Sequence, residues 1–354
     1  MRLEKRARSS ALALVLAPLG AVVFTMLVSA LLVLWAGAPI ARTYGLLLQG
    51  GFGSVFALSE TLTRAIPLML TGLAATVAFK ARLFNIGAEG QLYAGALAAV
   101  AVGGMHGGSG FDQLPTPVLF ALMMLAAALA GALLLLGPAL MKARLGVDEV
   151  VTTLLLNFIV LLLVSWMLDG PMKDPTAMGW PQSVALLGDL ELSKLVPQTR
   201  VHSGLVWGIA LAIAVWALMK YTVLGFDIRA VGANARAAAF AGVPVTRTVV
   251  LVAMLSGALA GLAGAIEVAG RTGYVTLDMS PGYGYSGIVI AMLAALHPLG
   301  VVAASVFVAG VLVGADSMSR AVGVPTYIAD VIVAASLISV LVATLFTQYR
   351  VKLQ

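Results

Sequence analysis

The sequence predicts an all-α polytopic membrane protein of about ten transmembrane helices, some of them broken, with cytoplasmic N- and C-termini. Three observations carry that expectation. The 354 residues are 61% hydrophobic and 10% charged, with a mean hydropathy of +1.04, more apolar than a water-soluble chain of this length can enclose. Apolar runs recur along the whole chain between short polar breaks. Basic residues gather at the ends of those runs, so the net charge of +6 reads as a topology signal and not as a nucleic-acid surface.

Taken in order, the chain opens with Arg2, Lys5, Arg6 and Arg8 ahead of an apolar run over 11–36. A signal peptide is the competing reading, but its apolar core spans only about 7–15 residues. The run is therefore read as a retained first span. Further spans are expected near 61–79, 89–105, 116–141, 150–168, 204–221, 248–269, 286–297, 299–315 and 326–346, and the shorter ones must tilt or break. With alternating spans, 14 of the 21 Lys and Arg fall on the cytoplasmic side, a two-to-one excess. The whole of 1–354 is read as one transmembrane domain. Its longest outer connection, 169–203, holds Pro171, Pro175, Pro181, Pro197 and Trp180 and is expected to form a structured extracytoplasmic loop. Two hairpins of opposite direction, starting at Gly72 and Gly261 and each broken by a Gly-rich stretch, suggest an inverted repeat, with chance similarity of Gly/Ala/Leu-rich text as the alternative.

The polar breaks carry the candidate site residues. Asn85 and Glu89 lie four apart at the start of the third span, followed by Gln91; they are either a wet, capped helix start or a helix break beside a translocation path. Asp148 and Glu149 suit a first helical turn, whereas Asn157 lies two turns deeper and needs a partner there. Gly257, Gly261, Gly264 and Gly270 mark close helix packing ahead of Tyr283, Tyr285 and Ser286, whose Gly-rich surroundings suit either pore lining or an outer loop. Asn85, Glu89, Gln91, Asn157, Tyr283, Tyr285 and Ser286 are the candidate path residues. The segment 222–246 is too polar to span; Leu224–Val243 reads as a short amphipathic surface helix stopped by Gly242 and Pro244, where something docks.

Chemistry is limited by what is missing. The chain has no cysteine, three scattered histidines and no P-loop signature, so no cofactor, metal or ATP site of its own is expected, and no nucleophile–base pair points to an enzyme. A carrier coupled to an ion gradient through Glu89 or Glu267 is the rival from another class.

Four stretches together resemble a known family: FNIGAEGQ at Phe84–Gln91, GVDEVVTTLLLNF at Gly146–Phe158, GFDIRAVGANARAAAFAGV at Gly225–Val243, and SPGYGYSGIVIAMLAALHPLG at Ser280–Gly300. They are similar to the permease subunits of ATP-binding cassette importers of the branched-chain amino acid, ribose and nucleoside group, and most of all to nucleoside importer permeases. The resemblance implies a multi-pass subunit of the bacterial cytoplasmic (inner) membrane. It further implies a second permease in a heterodimer, a cytoplasmic ABC ATPase and an extracytoplasmic substrate-binding lipoprotein. It places the ATPase-coupling element on Gly225, Asp227, Arg229, Gly232, Asn234, Arg236 and Gly242, and the helix-break motif on Asn85, Gly87, Glu89 and Gly90. Ala233 and Ala235, flanking Asn234, depart from the charged residue or proline often found there.

Overall fold

The computed structural model describes residues 39–105 and 114–323 without interruption, together with 2–5, 349–352 and isolated positions within 20–37 and 331–342. Two compact units emerge, one from 1–62 with 306–354 and the other from 63–305. Apart from one antiparallel pair of four-residue strands at the termini, β1 (Arg2–Lys5) and β2 (Tyr349–Lys352), the described secondary structure is helical.

In the first unit, α1 (Met26–Trp35) and α2 (Ile40–Phe52) bend by 116° at their junction. Helix α2 lies between the first two expected spans and presses its glycines onto a partner helix. Gly51 lies against the Gly310 carbonyl and Gly314 against that of Leu47, so α2 packs at backbone distance on α12 (Pro298–Val322). Val33, Ala315 and Met318 close a small core there.

The second unit holds most of α3 (Val55–Lys80), then α4 (Ala88–Gly103), α5 (Thr116–Leu145), α6 (Glu149–Asp169), α7 (Gly204–Tyr221), α8 (Val223–Ala233), α9 (Ala235–Phe240), α10 (Val245–Glu267) and α11 (Tyr283–Leu293). Helix α10 runs on through a π turn, Val268–Thr272, ended by Gly273 at φ 75°. Helices α4, α5 and α10 pack through glycine, as the small-residue spacing predicted: Gly95 meets the Gly261 carbonyl, Gly131 that of Gly257, and Gly264 that of Leu92. Helices α5, α6 and α7 turn leucine, isoleucine and tryptophan outward, including Leu133, Leu162, Trp166 and Trp207, as a lipid-facing surface requires. A Cβ on Gly261 would run into the Ala127 carbonyl. Gly261→Ala is expected to cost about 1–3 kcal/mol, read as a lower thermal midpoint, while Gly137→Ala, with nothing within 4 Å of its Cβ, leaves it unchanged.

One expectation is not reproduced among the described residues, and another needs correction. Among the described residues six helices are long and apolar enough to cross a membrane, or seven if the bent α1–α2 pair is one span, so the count of ten is not reproduced. The physical reason is that α4 and α11, with 16 and 11 residues, reach only about 24 and 17 Å at 1.5 Å per residue, and their first turns meet inside the bundle at Glu89. The expected span at 326–346 falls mostly outside the described residues, as does about half of the expected first span over 11–36. The surface helix over Leu224–Val243 is in fact two, because Asn234 is extended (φ −159°) and its side chain accepts from the Arg236 and Ala237 N–H groups, capping α9.

The connection between α6 and α7 is laid over the ends of α4 and α10. Leu187 N–H donates to Gly103 O, Leu192 N–H to Ala269 O and Ser183 N–H to Val275 O, over the buried side chains of Leu186 and Leu190. At its end the His202 ring fills the space above Gly204 and Gly270. Burial, with the Arg271 charge adding to it, holds that imidazole down to about 4, so it stays neutral at pH 7.

Candidate functional site

The site grows from a mismatch that the sequence builds in. Helix α3 ends at Lys80 and α4 begins only at Ala88, which leaves Phe84–Gly90 to cross the interior with amides that no helix satisfies. One face of α6 supplies the partners. Glu149, Thr153 and Asn157 recur every fourth residue and are all buried. Glu149 Oε1 accepts from Phe84 N–H at 3.0 Å, Thr153 Oγ1 from Ile86 N–H at 3.2 Å, and Asn157 Oδ1 from Gly90 N–H at 2.8 Å. Asn157 Nδ2 returns bonds to Ile86 O at 2.9 Å and to the Tyr285 hydroxyl at 3.1 Å. Gly90 has no room for a side chain, since its Cβ would fall 2.9 Å from Asn157 Oδ1. Lys142 binds Glu149 from outside and also donates to Arg82 O at 2.6 Å.

Asn85 closes the other side of the loop. Its amide pairs with that of Gln91 in two reciprocal bonds of 2.9 Å, while its Nδ2 also reaches Ser256 on α10 at 3.1 Å and its Oδ1 accepts from Gly87 N–H. Ser256 in turn donates to Ala74 O on α3. Asn85 and Glu89 are therefore neither wet nor partners of each other: they are 1% and 4% exposed, and the α4 N-cap is Gly87.

Glu89 instead points at the second helix break. Its Oε2 accepts from Gly284 N–H at 2.6 Å, in the first turn of α11, and Gly284 is pressed so closely onto the Glu89 backbone that only glycine fits. One carboxylate thus lies at the positive N-terminal ends of both short helices, α4 and α11. Tyr283 is buried, with its carbonyl accepting from Thr71 and its hydroxyl from Arg271 Nη1 at 3.0 Å. Arg271 also pairs with the fully buried Glu267 at 2.7 Å across the π turn. Tyr93 ties the same region together, donating to Leu277 O and accepting from Ser280 N–H. Of the seven candidate path residues, Tyr285 is the most open, at 38%, and Ser286 is half-buried.

The proposed coupling residues fall into two groups. Gly225 and Gly232 are packing positions, the first on Leu218 O and the second on the Lys80 carbonyl at the end of α3, and Arg229 donates to Met219 O. Asn234, Arg236 and Gly242 are exposed, Gly242 with a left-handed φ of 87°, and Asp227 is half-buried. Glu149 reads in the sequence only as first-turn polarity, Thr153 and Arg271 carry no assignment there, and the joining of Glu267 and Tyr283 through Arg271 is not expected from the motifs. Their signals were present: three polar residues spaced four apart on an otherwise apolar helix, and an acid and a base four apart beside glycines.

Broken helices meeting inside an apolar bundle, with their loose amides satisfied by buried polar side chains, define a polytopic membrane transport protein. The chain belongs to the family described as branched-chain amino acid transport system / permease component, which matches residues 57–341. It is similar to the guanosine ABC transporter permease protein NupP of Bacillus subtilis, at 34% identity over 90% of both chains. It is 39% identical to the glucose ABC transporter permease protein TsgB13 of Haloferax volcanii, over 87% of this chain and 82% of that one. It is 31% identical to the nucleoside ABC transporter permease protein NupB of Lactococcus lactis subsp. cremoris, over 91% and 89%. No solved structure matches. The chain is an ABC transporter permease of the nucleoside and sugar group.

Proposed function

We propose that the chain is one of two permeases of an importer that carries nucleosides across the bacterial cytoplasmic membrane, driven by a partner ATPase that docks on α8–α9. The carrying observation is a continuous line of contacts. Gly232 on α8 abuts the Lys80 carbonyl, and Lys142 grips Arg82 O and Glu149 two residues further on. Glu149 then holds the Phe84–Gly90 loop, and Glu89 of that loop grips the start of α11. A push on α8 would reach both helix breaks through this contiguous set of backbone and side-chain contacts, the kind of network that carries coupling.

In this reading 1–354 is a single transmembrane domain, 222–246 faces the cytoplasm and 169–203 faces the binding lipoprotein. Tyr285 and Ser286 offer stacking and hydrogen-bonding surface to a neutral solute, while Asn85, Gln91, Asn157 and Glu89 hold the walls. The names of NupP and NupB support a nucleoside; that of TsgB13 supports a sugar as the second reading. An ion-coupled carrier is disfavoured because Glu89 is engaged by a helix N-terminus and Glu267 by Arg271.

The test is uptake into proteoliposomes holding the chain with a second permease, ATPase and binding protein. Labelled guanosine should enter only with ATP, faster than glucose or ribose. Uptake that ignores ATP and collapses with an uncoupler would defeat the proposal. Arg236, exposed on α9, should matter only for coupling: Arg236→Glu is expected to lower ATP-driven uptake about tenfold, about 1.4 kcal/mol, with membrane insertion unchanged. Normal coupled uptake would remove α9 from the ATPase contact.

A further inference from the structure

A cavity of about 300 Å³ opens where α7 ends, lined by Lys80, Trp216, Met219, Lys220, Arg229, Leu296, His297 and Pro298. Lys80, Lys220 and Arg229 supply three fixed positive charges, His297 a fourth donor, and no carboxylate lines it. The 25-residue helix α12 begins at Pro298 in its wall, adding the positive end of a helix dipole. Ala295 and Leu296 are both held at positive φ, 49° and 56°, a costly conformation for residues with a Cβ, and this turn carries His297 to the cavity. The whole arrangement is built to receive negative charge.

Its level in the membrane selects the ligand. The Lys220 ammonium lies 5.0 Å from the Trp216 ring and 5.1 Å from that of Tyr221, the aromatic-and-lysine pattern of a helix end at the lipid headgroups. Above it α7 turns Val206, Trp207, Ile209 and Ile213 outward, a track for acyl chains. We propose that this cavity binds the phosphate headgroup of an anionic phospholipid, whose chains lie along the outward face of α7. A lipid held there would also touch Arg229 of α8 and the Lys80 end of α3, the first links of the coupling line. The assignment to the cytoplasmic leaflet rests on the topology proposed above; binding itself does not.

The full-length chain, purified and placed in nanodiscs of equal phosphatidylglycerol and phosphatidylcholine, provides the test by native mass spectrometry of retained lipid. One phosphatidylglycerol per chain is expected to stay bound in preference to phosphatidylcholine. Each lysine neutralised should cost about fivefold, so Lys80→Gln/Lys220→Gln should lower the preference about 25-fold, whereas Lys80→Arg/Lys220→Arg retains it. Equal retention of the two lipids by the native chain would overturn the proposal even if the glutamine variant failed to fold. So would an undiminished preference in that variant, whether or not ATPase association fell, since the cavity would then be a protein contact. Displacement of the lipid preference by millimolar inorganic phosphate would assign the cavity to a free anion and overturn the lipid. The measurement needs neither ATP nor solute, so its failure is separable from failure of the transport reading.

Discussion

Arg271→Met is expected to destabilise the protein by about 3–5 kcal/mol, the largest effect of any single substitution considered for this chain. Glu267 is 0% exposed and its carboxylate is 2.7 Å from Arg271, on the next helical turn. Removing the guanidinium takes the Arg271 partner from a buried carboxylate whose solvation by water was lost on folding, and also takes from the Tyr283 hydroxyl its bond of 3.0 Å. The loss falls in the π turn that carries α10 into the second helix break, so the start of α11 should loosen as well. Thermal unfolding of the purified chain measures the effect. The double variant Arg271→Met/Glu267→Gln should recover a large part of it, because the isosteric amide removes the buried charge that Arg271 offset. If the double variant melts no higher than the single one, the cost lies in lost packing of the arginine stem and not in the charge.

The sequence showed the class of the protein more clearly than its working parts. Composition and basic run-ends made the membrane reading secure, and the spacing of Gly257, Gly261 and Gly264 announced close helix packing, whose partners prove to be α4 and α5. Span number was less legible, because hydropathy does not distinguish a full-length helix from one, like α11, of only 11 residues that begins beside a second short helix. The site was legible as a set of motifs but not as a geometry. Asn85 and Glu89, four apart, suggested a shared face, yet the helix starts between them and sends one side chain to Gln91 and the other to Gly284. Helical spacing applies only once the helix has begun. Conversely, Glu149, Thr153 and Asn157 do share a face, and that regularity was readable, but its target was a backbone loop with no side-chain signal of its own. A hydrogen bond to a main-chain amide leaves no mark on the residue that donates it.

Asn157→Leu should show whether that stripe is a latch or a pore wall. Leucine matches the volume but leaves Gly90 N–H and Ile86 O, both paired with Asn157 at 2.8 and 2.9 Å, without that partner in a buried site. Each stranded group costs about 1–3 kcal/mol, tempered by the roughly 0.6 kcal/mol average of side-chain bonds between membrane helices, so a loss of about 2–4 kcal/mol is expected. Thr153→Val, which removes the acceptor for Ile86 N–H at 3.2 Å and the hydroxyl's own donation to Glu149 O at 2.6 Å, a carbonyl already inside α6, should cost less, about 1 kcal/mol. A latch predicts that thermal midpoint and uptake fall together, in the order Asn157→Leu beyond Thr153→Val, because the loop must be held before either short helix can be placed. A pore wall predicts the reverse separation: Asn157→Leu would shift the solute concentration for half-maximal uptake while the midpoint stayed where it was. The full burial of Asn157 favours the latch, and an unchanged midpoint would refute it.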